Sequence, residues 1–367
     1  MRTFTCDHCG HMVFFENTIC VHCGSTLAFH PQQMRMLALQ PSRSTPDVWE
    51  SISCTHDHRG THVRMCRNRG CEGSACNFTT DIDGTQPYCV SCCQTRWLPN
   101  LSNPQNLLRT YKIEHAKRYL FYTLARLQLS SLQGLAAPVF DFLEELPDQA
   151  PVITGHANGV ITLNVAEADD DERARIRLAL LEPYRTLLGH LRHESGHFFW
   201  DILIRDTQWL TPFRAVFGDE RADYAQALQS YYARGAAPSE DWHSNYISHY
   251  ATAHPWEDWA ETWAHYLHMM DVLETAASYE LQLQLPDNID HRPVIDNPFK
   301  LPAVSLKDLL QQYVPLTLVL NSLNRSLGHG DAYPFALSTG AIAKLGFIHE
   351  VIGAHRAQIG GATQAVP

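Results

Sequence analysis

The spacing of hydrophobic positions changes character twice along this chain. Residues 1–30 carry short β-type runs broken by cysteine pairs. Residues 31–49 contain Pro31-Gln32-Gln33 and Pro41-Ser42-Arg43-Ser44-Thr45-Pro46, and read as a linker with one short helix around Met34–Leu39. Residues 50–100 hold a second cysteine group. A helical rhythm starts near Leu107, where Ile113, Ala116, Leu120, Leu124 and Leu127 follow at spacings of three or four and build one apolar face. Residues 151–165 predict a hairpin, because Ala157-Asn158-Gly159 supplies turn chemistry and Val160, Ile161, Thr162, Leu163 and Val165 are β-formers. Asp169 to about Ile204 predicts helix, with Pro183 opening a second helix within it. Further helices are predicted over 219–234, 255–276, 305–327 and 337–354. The pattern divides the chain into a ribbon over 1–30, a linker over 31–49, a cysteine-rich module over 50–100, a large domain over 101–355 and a flexible tail over 356–367.

Composition narrows the class. With 45% hydrophobic and 18% charged residues, 367 residues can bury a sizeable core, which excludes a disordered, collagenous or coiled-coil protein. No apolar run approaches the roughly 18 residues that span a bilayer. Met1–Cys6 lacks a signal-peptide stretch, so the expected address is the cytoplasm, with no membrane partner. The net charge of −11 falls entirely in residues 101–367, since residues 1–100 hold eight acidic and eight basic side chains. An acidic chain is a poor match for a nucleic-acid backbone.

All 11 cysteines lie between Cys6 and Cys93. Closely spaced pairs in a chain without an export signal read as metal sites. Cys6-Asp7-His8-Cys9 and Cys20-Val21-His22-Cys23 each precede a glycine, and two such turns aim four sulfurs at one point, a tetrahedral Cys₄ zinc site. His8 and His22 sit inside the turns as bystanders. The second group offers Cys54, Cys66, Cys71, Cys76, Cys89, Cys92 and Cys93 for four places. Cys89 and Cys92 form one half-site, Cys76 a third ligand, and either Cys66 or Cys71 the fourth. Structural zinc replaces a core too small to fold alone.

His193-Glu194-Ser195-Gly196-His197 is an HExxH sequence inside a helical segment. Histidines at i and i+4 share a face and can take one zinc, while Glu194 beside them can take a proton from water. A catalytic zinc needs a third protein ligand and an open position. Position 203 is leucine, which removes a third histidine at the metzincin spacing. In His254–His268, at about 100° per residue, Trp256, Trp259 and Trp263 share one face and Glu257, Glu261, Ala264 and His268 another. Two carboxylates one turn apart beside alanines are costly to bury without partners. Glu257 as ligand and Glu261 as acceptor for a ligating histidine fit this pattern. Asp258 points off that face, and the rivals for third ligand are Glu220, Asp223 and His254.

From Cys6 to about Leu273 the chain resembles bacterial zinc-binding metallopeptidases with an N-terminal zinc ribbon. The matching stretches are Cys66-Arg67-Asn68, Cys76-Asn77, Cys89–Cys92, Leu163–Asp169, Glu182–His190, His193–Trp200 and His254–His268. The resemblance implies an α+β fold, a mainly helical zincin-like catalytic domain preceded by small zinc-ribbon modules. It further implies a gluzincin site with a glutamate third ligand, and Cys66 rather than Cys71 in the second cluster. In zincins an exposed edge strand pairs with extended substrate, which points to Gly159, Val160, Ile161 and Thr162 within Gly159–Asn164. Tyr250, seven residues before Glu257, resembles the oxyanion-holding tyrosine of lethal-factor-type gluzincins, with Tyr246 as the alternative. The expected protein is a zinc-dependent hydrolase with one catalytic and two structural Zn²⁺, cleaving a peptide or protein substrate, with ribbons open to a protein partner. The alternatives are the same machinery acting on a non-peptide amide, or an inactive zincin serving as an adaptor.

Overall fold

The first cysteine turn is a hairpin. Strands β1 (Phe4–Thr5) and β2 (Met12–Val13) pair antiparallel on either side of it, Phe4 opposite Val13. Gly10 and Gly24, which follow the two cysteine pairs, have φ of +74° and +73°. That left-handed backbone is strained for any side chain, so the glycines allow each pair to double back. In a computed structural model the chain is described over residues 1–53, 60–180, 185–233, 241–284, 294–300 and 303–364. Contacts gather it into two units, one of residues 1–154 and 162–168, the other of 155–161 and from 169 onward.

In the first unit, β3 (Thr26–His30), β4 (Arg35–Pro41), β5 (Trp49–Ser51), β6 (His62–Met65) and β7 (Thr79–Thr80) form an antiparallel sheet in chain order. Thr26 faces Leu39 and His30 faces Arg35. The helix expected around Met34–Leu39 is strand β4, inside the stretch read as a linker. Met36 and Ala38 face one apolar cluster while Leu37 and Leu39 face another. A short unbroken apolar run carries no periodicity to separate helix from a strand buried on both faces. Helix α1 (Pro104–Arg126) starts earlier than Leu107, because Asn103 Oδ1 accepts from Gln105 N and Pro104 suits the first turn. Its Phe121, Tyr122 and Ala125 pack with Phe4, Phe15, Phe29, Phe78 and the buried cysteines. A second sheet has the order β10 (Gly155–Ala157), β11 (Val160–Asn164), β9 (Val139–Leu143), β8 (Thr95–Trp97), with β8 and β9 parallel.

The second unit is mostly helical: α2 (Asp170–Leu180), α3 (Leu187–Leu203), α4 (Leu210–Phe217), α5 (Tyr224–Ala233), α6 (Pro255–Ser278), α7 (Leu306–Ser326) and α8 (Thr339–Gln364). Helix α3 opens at Leu187, capped by Thr186, whose Oγ1 accepts from Gly189 N. Pro183, expected to open it, lies outside the described residues. Helix α4 was not foreseen, and α8 reaches Gln364, into the stretch read as a tail.

Helices α3 and α6 form the centre of this unit. Phe199 stacks on Trp263 at 5.1 Å, Trp259 Nε1 donates to Gly196 O at 2.8 Å and Trp263 Nε1 to Ser195 Oγ at 3.2 Å. Trp259 and Trp263 are fully buried, which fits the tryptophan face expected for α6. Phe213 and Phe217 of α4 close the other side of Trp259 together with Phe347 of α8. Among the described residues no helix is long and apolar enough to cross a membrane.

Candidate metal centres

Each cysteine cluster converges on one point. Cys6, Cys9, Cys20 and Cys23 form the first, with Sγ atoms 3.8 Å apart for both Cys6–Cys23 and Cys9–Cys20. Cys66, Cys76, Cys89 and Cys92 form the second, with Cys76 and Cys89 at 3.6 Å. Four sulfurs about 2.3 Å from a tetrahedral zinc lie about 3.8 Å apart, whereas a disulfide needs about 2.05 Å. Both clusters therefore have the dimensions of a zinc site. Burial pushes the Cys6 thiol up to about 12, while Ser25 beside Cys23 holds that thiol down to about 5. Four thiolates cannot share one pocket without a cation to balance them. Cys71 and Cys93 are exposed and stand outside the clusters. Cys54 lies outside the described residues.

The third cluster is His193, His197 and Glu257, whose ligand atoms all fall within 4.8 Å of one another. His193 Nε2 is 3.3 Å from His197 Nε2 and 3.0 Å from Glu257 Oε2. His197 Nε2 is 3.5 Å from Glu257 Oε1. Helix periodicity delivers the histidines one turn apart on α3, and Glu257 comes from the first turn of the facing α6. His193 Nδ1 lies 2.7 Å from Glu261 Oε1, and Ser248 Oγ donates to Glu261 Oε2 at 2.6 Å. With its Nδ1–H donated to Glu261, a neutral His193 would present the Nε2 lone pair to the point it shares with Glu257 Oε2. That oxygen is buried, and the imidazole nitrogen at 3.0 Å is its neighbour in the cluster.

Lone pairs meeting this closely repel unless a proton or a metal cation stands among them. Ligands about 2.05 Å from a tetrahedral zinc lie about 3.3 Å apart, the spacing found here. The electrostatics show how strongly the pocket draws positive charge, as a proton or as a cation. Burial opposes charge on His193, yet Glu257 and Glu261 drive its pKa well above the usual imidazole value. Burial likewise opposes charge on Glu257, and His197 and His193 hold it well below the carboxylate range. The donor set thus fits a divalent cation.

Glu194 sits beside this cluster on α3, its Oε2 buried and unpartnered. Its Oε1 is 3.2 Å from His190 Nε2. Burial raises the Glu194 carboxyl, but that contact and the neighbouring histidines bring it below its ordinary range. Tyr250 lies with its ring 5.9 Å from that of His193, and burial pushes its phenol well above the usual value, so it remains a proton donor.

The rival ligands are engaged elsewhere. Glu220 takes Arg214 Nε at 2.8 Å, and Asp223 Oδ1 accepts from Gln226 N. His254 uses Nδ1 to cap α6 at Trp256 N and Nε2 to reach Ala222 O. Asp258 pairs with Lys344 at 2.6 Å, and Tyr246 lies under the same ammonium at 3.9 Å.

One expectation is corrected. Val160–Asn164 is an interior strand, with β10 on one side and β9 on the other, so Gly159, Val160, Ile161 and Thr162 do not offer a free edge. The edge belongs to β10, because the hairpin's first arm covers its second. His156 of β10 packs edge-on against Phe198 of α3 at 5.9 Å, next to His197.

The sequence reading missed three residues. His190 could have been found, since it stands one helical turn before Glu194. Tyr224 donates to Glu257 Oε1 at 2.5 Å, and Ser248 holds Glu261. Both arrive from segments whose approach to α6 no local pattern announces.

Fold and sites thus define a ribbon-bearing, zinc-binding protein with a helical unit that holds a His-His-Glu centre. A family model described as "Putative zinc-binding metallo-peptidase" matches residues 106–351, and a zinc-ribbon domain model matches residues 3–103. The chain belongs to that metallopeptidase family. Uncharacterized proteins of Mycobacterium bovis and Mycobacterium tuberculosis are each 37% identical to it over 355 residues, spanning 96% of this chain and 95% of theirs. No solved structure matches it.

Proposed function

We propose that this protein is a zinc-dependent peptidase with a zincin-like, gluzincin-type catalytic region. His193, His197 and Glu257 would hold one catalytic zinc, and the two cysteine clusters would hold one structural zinc each. The observation that carries this reading is the convergence of three lone-pair atoms, two nitrogens and one oxygen, beside a buried carboxylate oxygen with no partner of its own. When bound at such a site, zinc supplies Lewis-acid chemistry, polarising a carbonyl and making water acidic enough to react near neutrality.

The chain's own residues then divide the work. Glu194 Oε2 takes the proton from the attacking water and passes it to the leaving amine nitrogen. His190 holds the other oxygen of Glu194, so the free one faces the reaction. Tyr250 donates its phenol proton as a hydrogen bond to the developing oxyanion. Glu261 fixes the His193 ring through Nδ1, and Ser248 fixes Glu261. An extended peptide would pair with the free edge of β10 rather than with β11. Thiolate-rich zinc sites suit a reducing compartment, which favours the cytoplasm.

The test is Glu194→Gln in the full chain, assayed against a peptide library by mass spectrometry. Cleavage should fall by roughly 10²–10⁴-fold with metal content unchanged. A variant that cleaves as wild type does would refute the mechanism. Wild-type protein that hydrolyses small amides but no peptide would move the substrate to the non-peptide class.

A further inference from the structure

Three carboxylates meet at the His-His-Glu centre, and they are held differently. Glu261 has both oxygens occupied, by His193 and Ser248. Glu257 has Oε1 held by the Tyr224 hydroxyl at 2.5 Å and 3.5 Å from His197 Nε2, while Oε2 lies closer to the cluster, 3.0 Å from His193 Nε2. We propose that Tyr224 is a positioning residue that ties down Oε1 of Glu257, so that the carboxylate presents Oε2 alone to the metal and a coordination position stays open for substrate. The proposal rests on the zinc reading above.

A carboxylate bound through both oxygens takes up one more position, and a catalytic zinc depends on keeping one free. A hydrogen bond to Oε1 biases the choice, since a second metal bond there would compete with the phenol for the same lone pairs. The phenol is placed to do this by packing rather than by its own helix. Helix α5 buries none of its residues. The Tyr224 ring instead stands edge-on to His254 at 5.1 Å and 88°, and against Trp256 at 5.7 Å. His254 joins the two segments, since its Nδ1 accepts from Trp256 N and its Nε2 donates to Ala222 O, each at 3.1 Å. The start of α5 and the first turn of α6 are thus fastened together, and the hydroxyl and its carboxylate keep their registry.

The experiment replaces the hydroxyl and keeps the ring: Tyr224→Phe in the full-length protein. Mild chelation strips the nitrogen–oxygen site while the thiolate clusters retain zinc, and Co²⁺ alone is added back as the probe. Cobalt affinity should fall roughly 10–100-fold, the usual scale for loss of a residue that orients a ligand. The visible ligand-field bands should weaken as Oε1 also binds and four-coordinate cobalt becomes five-coordinate. The melting temperature should hold, since the packing on His254 and Trp256 remains. An unchanged cobalt spectrum overturns the proposal, whatever the affinity. Glu257→Ala in parallel keeps the two readings apart. If it retains wild-type cobalt binding, the metal assignment fails. If it loses cobalt while Tyr224→Phe keeps the wild-type spectrum, only the role of Tyr224 fails.

Discussion

Replacing Gly196 with alanine should part the two helices that build the metal centre. A Cβ there would lie 2.9 Å from Ala260 Cα and 3.2 Å from both Cβ and Cδ1 of Trp263. Carbon atoms settle at about 3.5–4.0 Å, so α3 and α6 must separate by roughly half an ångström or more at this point. The nearest obstacle is backbone, which cannot swing aside as a side chain can. Overpacking of this kind costs about 1–3 kcal/mol. Alanine returns about 0.5–1 kcal/mol through its better helix propensity. Gly353 in α8 supplies the reference, because a Cβ there meets nothing within 4 Å. Gly353→Ala should be neutral or stabilising, and the difference between the two variants isolates the steric cost.

Thermal unfolding with saturating zinc should therefore rank Gly196→Ala below wild type and Gly353→Ala at or above it. For a region of this size, 1 kcal/mol moves the melting temperature by about 2–4 °C. Zinc affinity is the more sensitive reading, since metal ligands tolerate displacements of only about 0.2 Å and Glu257 rides on the helix that must move. Chelator competition should show weakening of about tenfold or more at this site, with the cysteine clusters unaffected. Gly196→Ala protein that melts with Gly353→Ala and binds zinc as wild type does would refute the close-packing argument.

Other expectations follow from the same geometry. Elemental analysis of freshly purified, reduced protein should find about three zincs per chain, and one or none would sink the reading of two filled cysteine clusters. Glu257→Ala should lose the catalytic zinc and keep the other two, whereas Glu261→Ala should bind it roughly 10–100-fold more weakly. Full zinc in Glu257→Ala would overturn the ligand assignment. Asp258→Ala should keep all its zinc yet unfold more readily, by about 1–3 kcal/mol, because the buried Lys344 ammonium loses its carboxylate while keeping Asn245 O and the Tyr246 ring. Chemical denaturation reads the second effect, and a loss of metal without a loss of stability would contradict it.

Legibility in the sequence followed the range of the interaction. The cysteine turns, the histidines of α3 and the carboxylate face of α6 are local repeats, of three or four residues, and helix or turn geometry translates such spacing directly into a shared face. So does the tryptophan face of α6, whose Trp259 and Trp263 are buried at the helix pair. His190 belongs with them and was overlooked, since it obeys the same i, i+4 rule. The strand at Arg35–Pro41 could not be read this way, because a run buried on both faces has no periodicity to reveal it.

Long-range questions needed the tertiary structure. Spacing left Cys66 and Cys71 both open and the family resemblance favoured Cys66; the fold sets Cys66 beside Cys76, Cys89 and Cys92 and leaves Cys71 exposed. For the third member of the histidine cluster the helix face favoured Glu257, and packing shows where its rivals are engaged. Glu220, Asp223, His254 and Glu257 are chemically eligible by composition, and their different partners, an arginine, a backbone amide, a helix cap and the two imidazoles, come from packing between segments far apart in the chain. Strand order is non-local as well, which is why the free edge passed from β11 to β10. Tyr224 lies 33 residues before the carboxylate it holds, and no repeat in the sequence encodes that meeting. Spacing sets which side chains share a face of one element, while the approach of one element to another depends on the summed packing of the whole unit.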